Sequence, residues 1–284
     1  MTYTREHEPF SFIGSSIEIV RETDRSKHPT HIFFDFDGTI SLIREGWKDV
    51  MITYAVEVIG QTGTDETPRS LHDLASDFIT KLTGRQTIYQ MIRLAGEVEK
   101  RGAVPRDPLE YKHEFNSRLL IRIEKRLDGL RAGTINPELL MVPYAVEMLT
   151  SLEERGTTLY LASGTDEQYV VEEAELLGID HFFENRIYGA CDDYQAFSKE
   201  KLIRQILHKN DLTGSDLLGF GDGYVEIENI KSAGGTAVAV ASDEIGRSGR
   251  IDESKRSRLI TAGADIVIPD YRDYKALCDY LWNV

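Results

Sequence analysis

His31-Ile-Phe-Phe-Asp35-Phe-Asp37-Gly38-Thr39 joins a short apolar run to two carboxylates, a glycine and a hydroxyl. Ile32 to Phe34 show no polar alternation, the pattern of a strand buried on both faces of a parallel sheet. The polar cluster then falls at the strand's carboxyl end, where open α/β sheets hold their ligands. Two acids one residue apart can crowd around a single divalent cation or phosphoryl group, and such crowding is expensive unless it is used.

Two further segments repeat the arrangement and a third opens a helix. Leu161-Ala-Ser163-Gly164-Thr165 ends another apolar run in hydroxyls, and Leu217-Leu-Gly219-Phe-Gly221-Asp222-Gly223 ends a third in an acid. Between them Ser198-Lys199 opens a helical pattern carried by Leu202, Ile203, Ile206 and Leu207. In this order the four motifs resemble those of the haloacid dehalogenase superfamily of phosphoryl-transfer enzymes.

The resemblance implies a mostly parallel, three-layer, Rossmann-like α/β core with an all-helical cap domain inserted after the first motif. It implies that Asp35 is the nucleophile, forming an aspartyl-phosphate, and that Asp37 protonates the leaving oxygen and later activates water. Phosphate oxygens would be met by Gly38, Thr39, Ser163, Gly164 and Lys199, the amides after Ser163 gaining from the helix that starts near Asp166. Lys199 is preferred over its neighbour Lys201 because it opens the helix more naturally. Mg2+ would be bound by Asp35, the backbone carbonyl of Asp37, and Asp222. Where the family commonly has a second aspartate, this chain has Glu226, open as a further metal group or as a helix-capping acid.

The cap is also visible in the residues themselves. Residues 44–138 carry fifteen Lys plus Arg against fifteen Asp plus Glu, so the net charge of -15 falls entirely on 1–43 and 139–284. This neutral middle third shows helical periodicity and no clear strand: Trp47, Val50, Met51, Tyr54, Val58; Leu71, Leu74, Phe78, Leu82; Ile88, Met91, Ala95, Val98. A fourth helix opens at Asp107-Pro108, an N-cap followed by proline. The expected division is therefore a core of 1–43 and 139–284, with 1–30 hard to read beyond a short strand at Ser16 to Val20, and a helical cap of 44–138. From Pro143 onward, strand and helix patterns alternate, as parallel strands with crossovers require. Strands are expected at 157–162, 186–188, 216–220, 237–240 and 264–268, and helices before Arg155 and from Asp166, Lys199, Glu226 and Tyr271.

An acidic chain argues against a nucleic-acid partner. No apolar run is long enough to span a bilayer and the amino terminus lacks a signal-like apolar segment, so a cytoplasmic protein is expected. Cys191 and Cys278 lack metal-site spacing and read as free thiols. Oligomeric state is left open. The expected activity is Mg2+-dependent hydrolysis of a small phosphorylated metabolite, a sugar phosphate first. A phosphomutase on the same scaffold and a non-catalytic phospho-ligand-binding module are the alternatives. Specificity is expected from the cap: Arg44 and Trp47 near its entry, and Arg85 with Gln86 in the loop Gly84-Arg85-Gln86-Thr87 between two helices.

Overall fold

The computed structural model describes residues 10–11, 14–24 and 26–284; much of the amino-terminal extension lies outside them. Its centre is β3 (His31–Phe34), paired in parallel with β4 (Thr158–Asp166) on one side and β6 (Leu217–Gly221) on the other. β5 (Ile187–Ala190), β7 (Thr236–Val240) and β8 (Ile266–Ile268) extend the parallel array. The eight-stranded order is β1-β2-β8-β7-β6-β3-β4-β5. β1 (Phe10–Ser11) and β2 (Glu18–Ile19) add antiparallel pairs at one edge, so the strand expected at Ser16 to Val20 is present but short.

Both faces are covered, which is why β3 is apolar throughout. Phe34 stacks on Phe220 with ring centroids 4.7 Å apart, on the face closed by α5 (Ala145–Glu154), α6 (Glu167–Leu177), the short α7 (Asp180–Phe183) and α11 (Tyr274–Trp282). Phe33 points the other way onto Tyr160, also at 4.7 Å, under α8 (Lys199–Lys209), α9 (Tyr224–Ser232) and α10 (Glu253–Ala262). Burying aromatic side chains on both sides is worth about 1.5–3 kcal/mol each and fixes the strand's register.

Between β3 and β4 the chain leaves the sheet for four helices, α1 (Trp47–Gly60), α2 (Pro68–Lys81), α3 (Thr87–Lys100) and α4 (Pro108–Arg131). Thr67 and Asp107 cap α2 and α4 by accepting from the amides of Ser70 and Leu109, each ahead of a proline in the first turn. Where the chain departs and returns, two segments cross-pair: the Leu42 amide donates to the Leu140 carbonyl and the Val142 amide to Ile40, both at 2.8 Å. The helical insertion is thereby attached at the carboxyl ends of the strands.

Three expectations need correction. β4 runs on to Asp166 rather than stopping at Ala162, with an irregularity in its pairing to β5, so the second motif lies within the strand. α10 was not legible, because only Leu259 and the stem of Lys255 are buried along it and its apolar period is weak. The last helix starts at Tyr274, three residues beyond Tyr271, whose ring is buried and whose hydroxyl donates to the Thr39 carbonyl at 3.1 Å. Both cysteines are free; Cys278 is buried in the core and Cys191 is exposed. Among the described residues no helix is long and apolar enough to cross a membrane.

Candidate active site

The carboxyl ends of β3, β4, β6 and β7 and the start of α8 surround a pocket of about 310 Å³, roofed by α1, α4 and the loop before α3. Asp35, one residue past β3, is buried, with Oδ1 accepting from Lys199 Nζ at 2.6 Å. Burial pushes Asp35 well above the ordinary carboxylate range; Lys199 pulls it back down, while Glu226 and Asp222 push it up. Lys199, first residue of α8, is buried and also pairs with Glu226 Oε1. Burial opposes its charge, but the two carboxylates outweigh that and hold the ammonium above the usual lysine range. Lys201 instead reaches the Gln195 carbonyl on the surface, which separates the two lysines.

Asp37 is held differently. Its Oδ2 accepts from Ser163 Oγ at 3.1 Å and Thr165 Oγ1 at 2.8 Å, both on β4. Its Oδ1 is buried without a hydrogen bond and lies 3.9 Å from Arg44 Nε. The sequence reading named Ser163 but passed over Thr165, although it stands in the same motif. Gly164 is a close-approach position: a Cβ there would fall 2.7 Å from the Arg85 carbonyl oxygen, so the insertion's loop can dock on the motif only because the side chain is missing.

Gly38 and Thr39 do not line the pocket. Gly38 adopts φ +79° and packs under Asp222, where a Cβ would meet Oδ2 at 2.5 Å. Thr39 is fully buried and its hydroxyl faces Asp35 Oδ2 at 3.4 Å. Both support the turn from behind rather than facing a phosphate, which corrects the expectation for them. Asp222 follows β6 and its Oδ2 lies 3.0 Å from Lys255 Nζ, which also contacts Glu244 at 2.5 Å. Lys255 and Glu244 were missed. The signal was available, since Ala237 to Val240 is another buried strand ending in a polar cluster, Ser242-Asp243-Glu244.

Glu226 sits in the first turn of α9, whose N-cap is Gly223. Its Oε1 serves Lys199, and Oε2 is buried without a hydrogen bond against Gly84 and Gly223. Glu226 therefore pairs with Lys199 while keeping the first-turn position that suits an acid at a helix amino end. Asp35, Asp222 and the Asp37 carbonyl are hard oxygen donors of the kind magnesium takes, and Asp222 is packed against the turn that carries Asp37. Among the described residues no three acidic, His or Cys side chains gather closely enough to hold an ion alone.

Of the residues expected to set specificity, Arg44, Trp47 and Arg85 line the pocket. Trp47 is half-buried against the core, and Arg85 is exposed, its guanidinium 5.7 Å from the Tyr89 ring. Arg44 and Gln86 already have partners within the protein. Arg44 is buried and bidentate to Glu173 on α6, at 2.6 and 3.0 Å, so it faces Asp37 rather than standing free for a substrate. Burial pushes Glu173 up to about 7 against the pull of Arg44. Gln86 lies outside the pocket lining, and its amide donates to the carbonyls of Tyr194 and Phe197, tying the insertion to the segment just before Lys199.

Comparison with known proteins agrees with this geometry. Residues 29–234 match the family model for haloacid dehalogenase-like hydrolases. A predicted phosphoglycolate phosphatase from Haemophilus somnus 129pt aligns over 89% of this chain and 99% of its own, at TM-score 0.57 and 16% identity. A β-phosphoglucomutase from Clostridium difficile aligns over 89% and 97%, at TM-score 0.58 and 13% identity. A predicted phosphatase from Clostridium acetobutylicum gives TM-score 0.57 at 13% identity, over 89% of this chain and all of its own. At such identities the likeness is one of fold. No curated protein matches the sequence.

Proposed function

Because the chain belongs to the haloacid dehalogenase-like hydrolases, we propose that it is a Mg2+-dependent phosphatase of a small phosphorylated metabolite, with sugar phosphates the leading class. The observation that carries this reading is the contrast between its two first-motif acids. Asp35 is charge-compensated by Lys199, as a nucleophile needs, whereas Asp37 is hydrogen-bonded by two hydroxyls and free of lysine, as a proton carrier needs.

An Asp35 oxygen attacks phosphorus as the bond to the leaving oxygen breaks, and Asp37 gives that oxygen its proton. Asp37 then takes a proton from water, whose oxygen attacks the aspartyl-phosphate and releases inorganic phosphate with Asp35 restored. Lys199 screens the anionic nucleophile from the anionic phosphoryl group, and Ser163 and Gly164 line the pocket where the phosphate oxygens would sit. Mg2+, held by Asp35, Asp222 and the Asp37 carbonyl, would supply charge neutralisation. The cytoplasm is the proposed setting, supported by two unpaired cysteines, with a metabolite rather than nucleic acid or membrane as partner. A panel of phosphorylated metabolites assayed for inorganic phosphate, with Mg2+ and with EDTA, tests the reading. Isomer formation without phosphate release would identify a mutase, and binding without either product would identify a phospho-ligand module.

A further inference from the structure

The pocket extends beyond the four motifs. Its far side is built from Ser242, Asp243, Glu244 and Ile245 after β7, and from Trp47 and Lys48 at the start of α1. Lys255 also faces this side, but Asp222 and Glu244 hold its ammonium. Lys48 differs. It is half-buried and, among the described residues, has no ion pair or hydrogen bond; its one contact of note is the Trp47 ring, 5.5 Å from Nζ.

Three circumstances make an unpaired ammonium unfavourable there. It has lost part of its water, it stands in the first turn of a helix, where the dipole repels cations, and its charged neighbours include Lys255 and Arg258. Burial holds it below the usual lysine range, and Asp222 and Glu244 only partly offset this. A cation so placed in a concave pocket is suited to an anion arriving with the ligand. The transferred phosphoryl group already has its cation in Lys199, which opens α8 and binds Asp35, whereas Lys48 stands in the first turn of α1 on the far side of the pocket.

We propose that Lys48 binds a second anionic group, a carboxylate or a second phosphate, on the leaving group of the substrate. This rests on the phosphatase reading and narrows it: phosphate esters of acids, or bisphosphates, are preferred over esters of neutral polyols. The test compares 2-phosphoglycolate, fructose 1,6-bisphosphate and glycerol 3-phosphate, with kcat/KM measured for wild type, Lys48→Gln and Lys48→Arg. Lys48→Gln should lower kcat/KM for one or both doubly anionic esters by roughly 10- to 100-fold relative to glycerol 3-phosphate, mainly through KM, and Lys48→Arg should keep most of the preference. Which of the two suffers names the anion. An equal loss on all three esters, or no loss on any, overturns the proposal.

A second arm needs no turnover. In Asp35→Asn protein the doubly anionic esters should raise the melting temperature more than glycerol 3-phosphate does, and adding Lys48→Gln should erase that difference. If wild type releases phosphate from nothing, the phosphatase reading fails while this arm still decides the role of Lys48. A difference that survives in the double variant overturns it.

Discussion

The sheet and the helical insertion treat their positive charges in opposite ways. Around the sheet's carboxyl edge every lysine in the pocket is committed to acids of the site: Lys199 to Asp35 and Glu226, Lys255 to Asp222 and Glu244. On the insertion side Arg44, at its entry, is bound to Glu173, but Lys48 and Arg85 line the same pocket with no ion pair among the described residues. A site that carries out one reaction on many substrates needs its reactive groups mutually compensated before anything binds. A surface that chooses among substrates needs groups whose partner arrives from outside. The division of charge thus mirrors a division between chemistry and selection, and each prediction below tests one side of it.

The largest effect belongs to the sheet. Asp35→Asn keeps shape and volume but removes the nucleophile, so turnover of every phosphate ester should fall by roughly 10³-fold or more with the fold retained. The melting temperature should hold or rise, because burial makes the ionised carboxylate unfavourable. Retention of even a tenth of wild-type activity would remove Asp35 from the role.

Asp222 and Glu226 sharpen the comparison within the sheet itself. Asp222→Ala should nearly abolish Mg2+-dependent activity. Glu226 touches Lys199 rather than Asp222, so Glu226→Gln should act indirectly, weakening the apparent metal affinity by about 10- to 100-fold. A magnesium titration of both variants decides this. Equal, total losses would place Glu226 among the direct ligands.

Much of the sheet side was legible in the sequence because its signal is local. A buried parallel strand is apolar throughout, so the abrupt change at Asp35, Ser163 and Asp222 marks strand end and site together. All four helices of the insertion were legible, the first three by period and the fourth by the Asp107-Pro108 cap. What escaped was non-local. Nothing near Arg44 in the chain announces that Glu173, well over a hundred residues later, will bind its guanidinium, and nothing near Gln86 announces the carbonyls of Tyr194 and Phe197. A loop polar residue reads as available for substrate until tertiary packing supplies its partner. Gly38 and Thr39 misled for a related reason: a motif places residues in a turn, but only the packing of Asp222 and Tyr271 around it decides which of them face outward.

The Arg44–Glu173 pair joins the two regions, since Arg44 stands at the insertion's entry and Glu173 on a core helix. Glu173 is pushed up to about 7 from 4.5, so the folded state holds its proton more tightly than the unfolded chain does. Its stabilising contribution is therefore complete below about pH 4.5 and is lost as pH rises through about 7. The corresponding change is of order 3 kcal/mol. Glu173→Gln removes the titration. Near pH 5 wild-type Glu173 is already protonated, so the variant should match it closely, and as pH rises towards 8 the variant should become the more stable of the two. A deficit that grows with pH would mean that pairing outweighs burial.

The smallest effect is expected at Arg85. Its carbonyl lies against Gly164, which anchors the backbone, while its side chain is exposed and rests near Tyr89. Solvent already satisfies that guanidinium, so what a substrate gains from it is the net value of one charged hydrogen bond, at the low end of about 1.5–3 kcal/mol. Arg85→Ala should therefore reduce kcat/KM for the best natural substrate by about tenfold, and should reduce it less for p-nitrophenyl phosphate, whose leaving group offers the guanidinium no carboxylate or phosphate. Lys48, with less water to return to, should show the larger selective loss of the two. If Arg85→Ala instead depresses both substrates alike, the cause lies in docking of the loop on Gly164, and a lowered melting temperature in the same variant would show that the insertion's hold on the sheet, rather than its choice of substrate, had been broken.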